Sequence, residues 1–146
     1  MTVQATQREN APSGPRVGRR DQGPALAARV VVVLRDWNLA SLTASTLLAH
    51  GIDAVAFGRP AVALQELQQG VGTDILVTSA DFQPGLPKGI SLARMTRLRR
   101  PDLKVIFVDR QEVAGEVAAE SNSFLRTPVT GVEVARAVAR LLRVRH

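Results

Sequence analysis

The sequence predicts an α/β domain with a parallel, doubly wound sheet, and three observations support this prediction. The chain has 146 residues, which suits one hydrophobic core of ordinary size. Short β-branched segments alternate with segments of helical spacing. The connections between them are short, so the crossovers are expected to be right-handed, with parallel strands and helices on both faces of the sheet.

The composition excludes several kinds of protein. There is no cysteine, which excludes disulfides, thiolate nucleophiles and thiolate zinc sites. No apolar run approaches the roughly 20 residues that cross a bilayer, and no secretory signal is visible, so we expect a cytoplasmic protein without membrane contact. The net charge is +6, but the cations are spread along the chain and only 3% of residues are aromatic, which argues against nucleic acid as a partner.

The folded domain is predicted to begin where the composition changes. Residues 1–28 are polar and interrupted by Gly and Pro, and we expect them to form a disordered N-terminal tail. From Val30 to Leu34 the chain is a continuous apolar run, typical of a strand buried on both faces. The domain is therefore expected to occupy residues 29–146.

Two strand–helix units complete the first half. Asn38 is the predicted N-cap of the first helix, which ends at Gly51. The second strand covers residues 54–57, and Pro60 begins a helix that ends at Gly70.

A third unit consists of a strand over residues 75–78 and a helix that begins near Gly89 and ends before Pro101. On that helix three apolar residues are expected to face inward and four arginines to face solvent. These are Leu92, Met95 and Leu98, and Arg94, Arg97, Arg99 and Arg100.

The remaining units are a strand over 105–108 with a weak, alanine-rich helix over 113–118, and a short strand at 124–125 with a helix from about Gly131. The simplest arrangement is the flavodoxin-like strand order 2-1-3-4-5. Function is then expected at the carboxyl ends of the strands, where three aspartates gather around one crevice. The residues there are Leu34, Arg35 and Asp36, then Ser79 and Asp81, then Asp109, and finally Thr127.

Three motifs resemble the receiver domain of bacterial two-component response regulators, over residues 29–143. The first motif is Asp74-Ile75-Leu76-Val77. The second begins with Gly89-Ile90-Ser91-Leu92-Ala93-Arg94 and continues from Leu98 to Ile106. The third is Phe124-Leu125-Arg126-Thr127-Pro128. The resemblance implies an acidic pair that binds Mg²⁺ after the first strand and an aspartate that accepts a phosphoryl group after the third. It also implies a hydroxyl residue after the fourth strand and a lysine after the fifth.

This sequence departs from the family at those positions, which would form a degenerate phosphorylation pocket. Leu34 and Arg35 stand at the acidic pair, Asp109 at the hydroxyl position and Thr127 at the lysine position. Asp36 and Asp109 are the remaining candidate metal ligands. We expect no resident cofactor, with Mg²⁺ as the one ion to consider.

The phosphoacceptor has two candidates. Counting forward from Asp74 places Ser79 there, whereas counting back from Gly89 places Asp81 there. We favour Ser79 at the strand end, with Asp81 in a lengthened loop. Ordinary turn or cap roles remain the simpler interpretation of each aspartate taken singly.

The resemblance also implies a switch aromatic at Phe124, although we favour a simple core role for it, and a cis peptide at Thr127-Pro128. It further implies pairing through the fourth helix, fifth strand and fifth helix. We expect a homodimer in which acidic residues on the fourth helix of one copy form ion pairs with arginines on the fifth helix of the other copy. The candidates are Glu112, Glu116 and Glu120, and Arg136, Arg140 and Arg143.

We therefore predict a stand-alone, atypical receiver domain that signals by protein–protein contact, with a histidine kinase or another signalling protein as partner and no enzymatic activity. The alternative is an active phosphoreceiver that accepts a phosphoryl group on Asp81, with Mg²⁺ bound by Asp36 and Asp109. An enzyme with its own small substrate is a distant third.

Overall fold

A computed structural model describes residues 16–17, 29–69 and 72–143. Its five parallel strands follow the predicted order 2-1-3-4-5, which confirms the doubly wound sheet. The strands are β1 (Arg29–Val33), β2 (Asp53–Phe57), β3 (Ile75–Thr78), β4 (Lys104–Asp109) and β5 (Ser123–Arg126). The helices are α1 (Trp37–Ala49), α2 (Pro60–Gln69), α3 (Gly89–Arg97), α4 (Ala114–Val117) and α5 (Gly131–Arg143).

The core consists of two layers, one on each face of the sheet. Val30 and Val32 of β1 pack on the face that α1 and α5 cover, whereas Val31 and Val33 pack on the opposite face with α2 and α3. Because successive strand residues point to opposite faces, a strand with a helix layer on both sides must be apolar throughout. This explains the unbroken valine run.

One strand was not predicted. Arg16–Val17 pairs antiparallel with β2 and lies at the edge of the sheet, inside the segment expected to be a disordered tail. The rest of the predicted tail, and residues 144–146 of the predicted domain, lie outside the described residues.

Two local predictions about helices were wrong. Asp36 caps α1 in place of Asn38, because its carboxylate accepts the backbone N–H of Leu39 at 3.2 Å. Met95 of α3 is 40% exposed, and Leu98, directly after the helix, is 84% exposed. The buried face of that helix instead follows Gly89, Leu92, Ala93 and Thr96, because the predicted spacing of three residues drifts around an α-helix of 3.6 residues per turn.

The fourth helical segment is broken, as its weak pattern suggested. The single turn of α4 lies between the 3₁₀ turns Gln111–Val113 and Ala118–Glu120. The predicted cis peptide at Thr127-Pro128 is confirmed. None of the described helices is long and apolar enough to cross a membrane.

Candidate functional site

The carboxyl ends of β1, β3 and β4 bring together Arg35, Ser79 and Asp109. Arg35 follows β1 by two residues, Ser79 directly follows β3, and Asp109 is the last residue of β4. These three strands are neighbours in the sheet, so their ends meet at one edge. The site thus lies where an open parallel sheet places functional side chains.

A bidentate ion pair occupies the centre of this site. The guanidinium of Arg35 donates from Nη2 to Oδ1 of Asp109 at 2.8 Å and from Nη1 to Oδ2 at 3.1 Å. This two-point geometry matches the planar fork of a guanidinium to a carboxylate. The Arg35 side chain remains 41% exposed, whereas that of Asp109 is fully buried.

Backbone donors complete the surroundings of the buried carboxylate. The N–H of Ala80 donates to Oδ2 of Asp109 at 2.9 Å, and the N–H of Arg110 donates to Oδ1 at 2.7 Å. Burial alone raises the pKa of Asp109, but the hydrogen bonds from Arg35 and these two amides outweigh it and bring the pKa below its usual value. Asp109 is therefore a buried carboxylate held in its charged form.

Arg35 also joins the β3–α3 loop to the site. Its backbone N–H donates to Oγ of Ser79 at 3.0 Å, and Nη1 donates to the backbone carbonyl of Asp81 at 2.7 Å. The hydrogen bond to Asp109 is the main reason that the pKa of Arg35 lies above its usual value. One arginine thus connects the ends of three strands.

The two phosphoacceptor candidates occupy different surroundings. Ser79 is 3% exposed at the strand end, and its hydroxyl oxygen accepts the Arg35 amide. Asp81 lies two residues further into the loop, with its side chain 37% exposed and 3.8 Å from Nζ of Lys88. Ser79 therefore faces the buried pair, whereas Asp81 faces solvent.

Gly89 keeps the loop close to the strand end. A Cβ at this position would lie 1.8 Å from the backbone oxygen of Ser79, so only glycine fits without a backbone shift. Its N–H donates to the carbonyl of Ala80 at 2.9 Å. The first turn of α3 is thereby fixed against the site.

Asp36 and Asp109, the two predicted metal ligands, both contact other groups of the protein in this structure. Asp36 caps α1, both oxygens of Asp109 accept protein hydrogen bonds, and Leu34 is 3% exposed within the core. In the described part of the chain, no three His, Asp or Glu side chains lie close enough together to bind a metal ion. The cation that contacts Asp109 in this structure is the guanidinium of Arg35.

The predicted switch aromatic Phe124 lies on β5, and the predicted pocket residue Thr127 directly follows that strand. Thr127 donates its backbone N–H to the carbonyl of Asp109 at 2.9 Å. Phe124 is half-buried and packs against the core layer of α2 and α3. Arg126, at the end of β5, is exposed.

Sequence reasoning named both partners of the ion pair but missed the pairing. The available signal was that two positions depart from the family together. Arg35 stands where an acidic residue is expected, and Asp109 stands where a hydroxyl residue is expected. Complementary charges at neighbouring strand ends predict an ion pair as readily as a metal site. The interpretation of Asp109 as a metal ligand or a turn residue left this pairing out.

The predicted dimer face is exposed except at one position. Glu112, Glu116, Arg136, Arg140 and Arg143 are all exposed. Glu120 instead accepts hydrogen bonds from Nε of Arg94 at 2.9 Å and Nη1 of Arg97 at 3.1 Å within the same chain. The hydrogen bond from Arg94 is the main reason that the pKa of Glu120 lies below its usual value. The described contacts therefore use Glu120 within the chain.

Solved structures provide the comparison with known proteins, since no family model and no curated protein matches the chain. A response regulator receiver protein from Sinorhizobium medicae is 27% identical, with a TM-score of 0.68 over 82% of this chain and 97% of that one. A Francisella response regulator receiver domain is 24% identical, with a TM-score of 0.65 over 80% and 97%. NtrX from Brucella abortus is 18% identical, with a TM-score of 0.69 over 81% of this chain.

The resemblance found in the sequence is confirmed by these structures. The chain spans nearly the whole length of the first two proteins and 27% of NtrX. The fold described above is that of response regulator receiver domains, the receiving modules of two-component signalling.

Proposed function

We propose that this chain is an atypical receiver domain that transmits signals through protein–protein contact, without Mg²⁺-dependent aspartyl phosphorylation. The Arg35–Asp109 pair is the observation that carries the proposal. Transfer of a phosphoryl group to an aspartate requires a hard cation and a positioned carboxylate. Here a protein guanidinium takes the cation's place, and Asp109 uses both of its oxygens to bind it.

The residue at the end of β3 supports the same conclusion. Ser79 carries a hydroxyl, which cannot form the acyl phosphate that an aspartate forms. Its oxygen is buried and accepts the N–H of Arg35. The pair and this hydrogen bond together hold the loop in one arrangement, which suits a module whose binding surface is permanently formed.

Intact-protein mass after incubation with acetyl phosphate and Mg²⁺ tests the proposal. The native chain, Ser79→Ala and Asp81→Asn are compared, because these two positions are the acceptor candidates. We expect no phosphoryl adduct on any of the three. A stoichiometric adduct on the native chain that is lost only in Asp81→Asn would overturn the proposal.

The second candidate is an active phosphoreceiver that uses Asp81, and one observation favours it. The Asp81 carboxylate is partly exposed, with the Lys88 ammonium 3.8 Å away, so a cation stands near an accessible acceptor. The same experiment with Lys88→Gln sharpens this alternative. If Asp81 accepts the phosphoryl group, Lys88→Gln should slow adduct formation, because the lysine would neutralise developing charge.

We further propose a homodimer through α4, β5 and α5, in addition to contact with a histidine kinase or another signalling protein. Glu112 and Glu116 on one copy would meet Arg136 and Arg140 on the other, while Glu120 remains with α3. Light scattering at micromolar concentration should report a dimer. Arg140→Glu should shift it to monomer, whereas Arg59→Glu, before α2, should not, and a monomeric native chain would contradict this interface.

A further inference from the structure

A cavity of about 520 Å³ opens beside the ion pair, at the carboxyl ends of β1 and β2. Its lining comes from three loops, those that follow β1, β2 and β3. Cavities of this size accommodate small organic molecules, and this edge of a parallel sheet is where such folds bind ligands. The cavity is therefore placed and sized for a ligand.

The lining combines two cations with apolar walls. Arg35 and Arg59 both line the cavity, and among the described residues its lining includes no Asp or Glu. Arg59 is exposed, and no ion pair to it is seen in the described part of the chain. Arg35 already binds Asp109, so within the described part of the chain the lining cation without a carboxylate partner is Arg59, which favours an anionic group.

Part of the apolar lining of the cavity belongs to, or packs against, the protein core. Leu34 is 3% exposed and belongs to one core layer, while Phe82 packs against the other. Leu86, at 42% exposed, and Pro60 complete the apolar lining. A flat, apolar ligand body would cover Leu86 and contact the Phe82 ring, which the protein alone leaves partly in water.

From these observations we propose that the cavity binds a small organic anion with an aromatic or otherwise apolar body. The anionic group, a carboxylate, sulfonate or phosphate, lies between Arg35 and Arg59, and the body lies against Phe82 and Leu86. Because Arg35 also binds Asp109, the ligand contacts the same side chain that joins the strand ends. Binding itself does not depend on the function proposed above.

The test uses 8-anilinonaphthalene-1-sulfonate as the anionic probe and N-phenyl-1-naphthylamine as its neutral counterpart. Amide chemical shifts of the native chain are followed during titration with each. The sulfonate should perturb the amides of the non-proline lining residues, which are Leu34, Arg35, Gly58, Arg59, Ala61, Phe82, Gln83 and Leu86. It should bind at least about fivefold more tightly than the neutral compound, because only the sulfonate makes charge-assisted hydrogen bonds to arginine.

Two variants provide matched controls. Arg59→Gln removes the exposed cation of the proposed site and should weaken sulfonate binding about five- to tenfold. Arg99→Gln changes an exposed arginine whose side chain donates to the carbonyl of Gln68 in α2, and it should leave the affinity unchanged. A second cavity, of about 410 Å³, is lined by residues of α1 and α5. Both arginines are exposed, so both variants are expected to remain folded, which thermal unfolding verifies.

The opposite pattern would overturn the proposal. Shifts centred on Thr46, His50 and Arg136 would place the probe in the other cavity. Equal affinities for the two probes, or an unchanged affinity in Arg59→Gln, would show that charge recognition at this site is absent. A phosphoryl adduct in the mass experiment would overturn the proposed function alone, so the two failures are distinguishable.

Discussion

Both ends of the sheet join an arginine to a carboxylate, but the two pairs differ in exposure. At the carboxyl end, the Arg35 side chain is 41% exposed and that of Asp109 is fully buried. At the amino end, Arg29 pairs with Glu66, and these side chains are 7% and 19% exposed. The cation is accessible only at the carboxyl end.

The amino-end pair is part of a wider structural network. The N–H of Arg29 donates to Oδ2 of Asp74 at 3.1 Å, and Nη2 of Arg100 donates to Oδ1 of the same carboxylate at 3.0 Å. These contacts join the start of β1 to α2, to the residue before β3 and to the segment after α3. The network therefore stabilises the end of the sheet where the strands begin.

The difference shows that residue chemistry alone does not distinguish a site from a structural support. Both ends use arginine–carboxylate contacts, and at the carboxyl end the partly exposed cation Arg35 also lines a cavity. Accessibility and position in the sheet therefore assign the roles. Substitutions at the two ends should separate stability from binding.

The largest effect is expected from Arg35→Met. It removes both side-chain donors from a fully buried carboxylate, and this should cost about 2 to 3 kcal/mol of unfolding free energy. That is below the usual loss for a broken buried pair, because the amides of Ala80 and Arg110 still bind Asp109. Urea denaturation measures the loss, and probe binding at the cavity should fall with it.

A double-mutant cycle identifies the cause. Adding Asp109→Thr to Arg35→Met removes the buried charge, so the double variant should be more stable than Arg35→Met alone. A double variant as unstable as the sum of the single variants would show that the pair contributes no coupling.

A smaller effect is expected from Arg29→Met, about 1 to 2 kcal/mol by the same denaturation measurement. Methionine replaces much of the arginine stem, and Glu66 has some access to water. The affinity of the cavity for the sulfonate probe should stay unchanged. Reduced probe affinity in this variant would contradict the division of roles between the two ends.

A third comparison follows the stability of the native chain and of Asp109→Asn as the pH is lowered. The pKa of Asp109 is lower in the folded than in the unfolded chain, so its charge stabilises the fold above the unfolded pKa of about 3.9. That contribution is lost as the pH falls through the folded pKa. The native chain should therefore exceed Asp109→Asn in unfolding free energy, measured in urea, by the full amount at pH 7 and by less below about pH 4. A difference in unfolding free energy that does not change with pH would contradict this prediction.

The sequence was sufficient for the fold because the informative features were local and strong. The valine run from Val30 to Val33 and the apolar strand over 75–78 allow only a buried strand. The edge strand at Arg16–Val17 was missed because pairing with β2 depends on a distant edge, not on local pattern. Leu98 was predicted to face inward because three apolar residues spaced by three can share one side of a helix. That spacing does not determine which side of the helix faces the core.

The site was less predictable because its geometry joins distant residues. Arg35 and Asp109 are 74 positions apart, and only the strand order makes them neighbours. Arg97, expected to face solvent, instead donates to the carbonyl of Leu103 and to Glu120. In both cases the contact depends on a distance in the folded chain, which the order of residues does not reveal.

The smallest effect is expected from Arg110→Ala, which tests whether geometry or charge stabilises Asp109. Nε of Arg110 is 3.8 Å from Oδ1 of Asp109, and its side chain is 61% exposed. Exposed contacts of this kind contribute little, so the loss should be below about 0.5 kcal/mol in urea. The alanine keeps the backbone N–H that binds Asp109. If Arg110→Ala cost as much as Arg35→Met, any nearby positive charge would suffice, and the two-point geometry of Arg35 would have no special role.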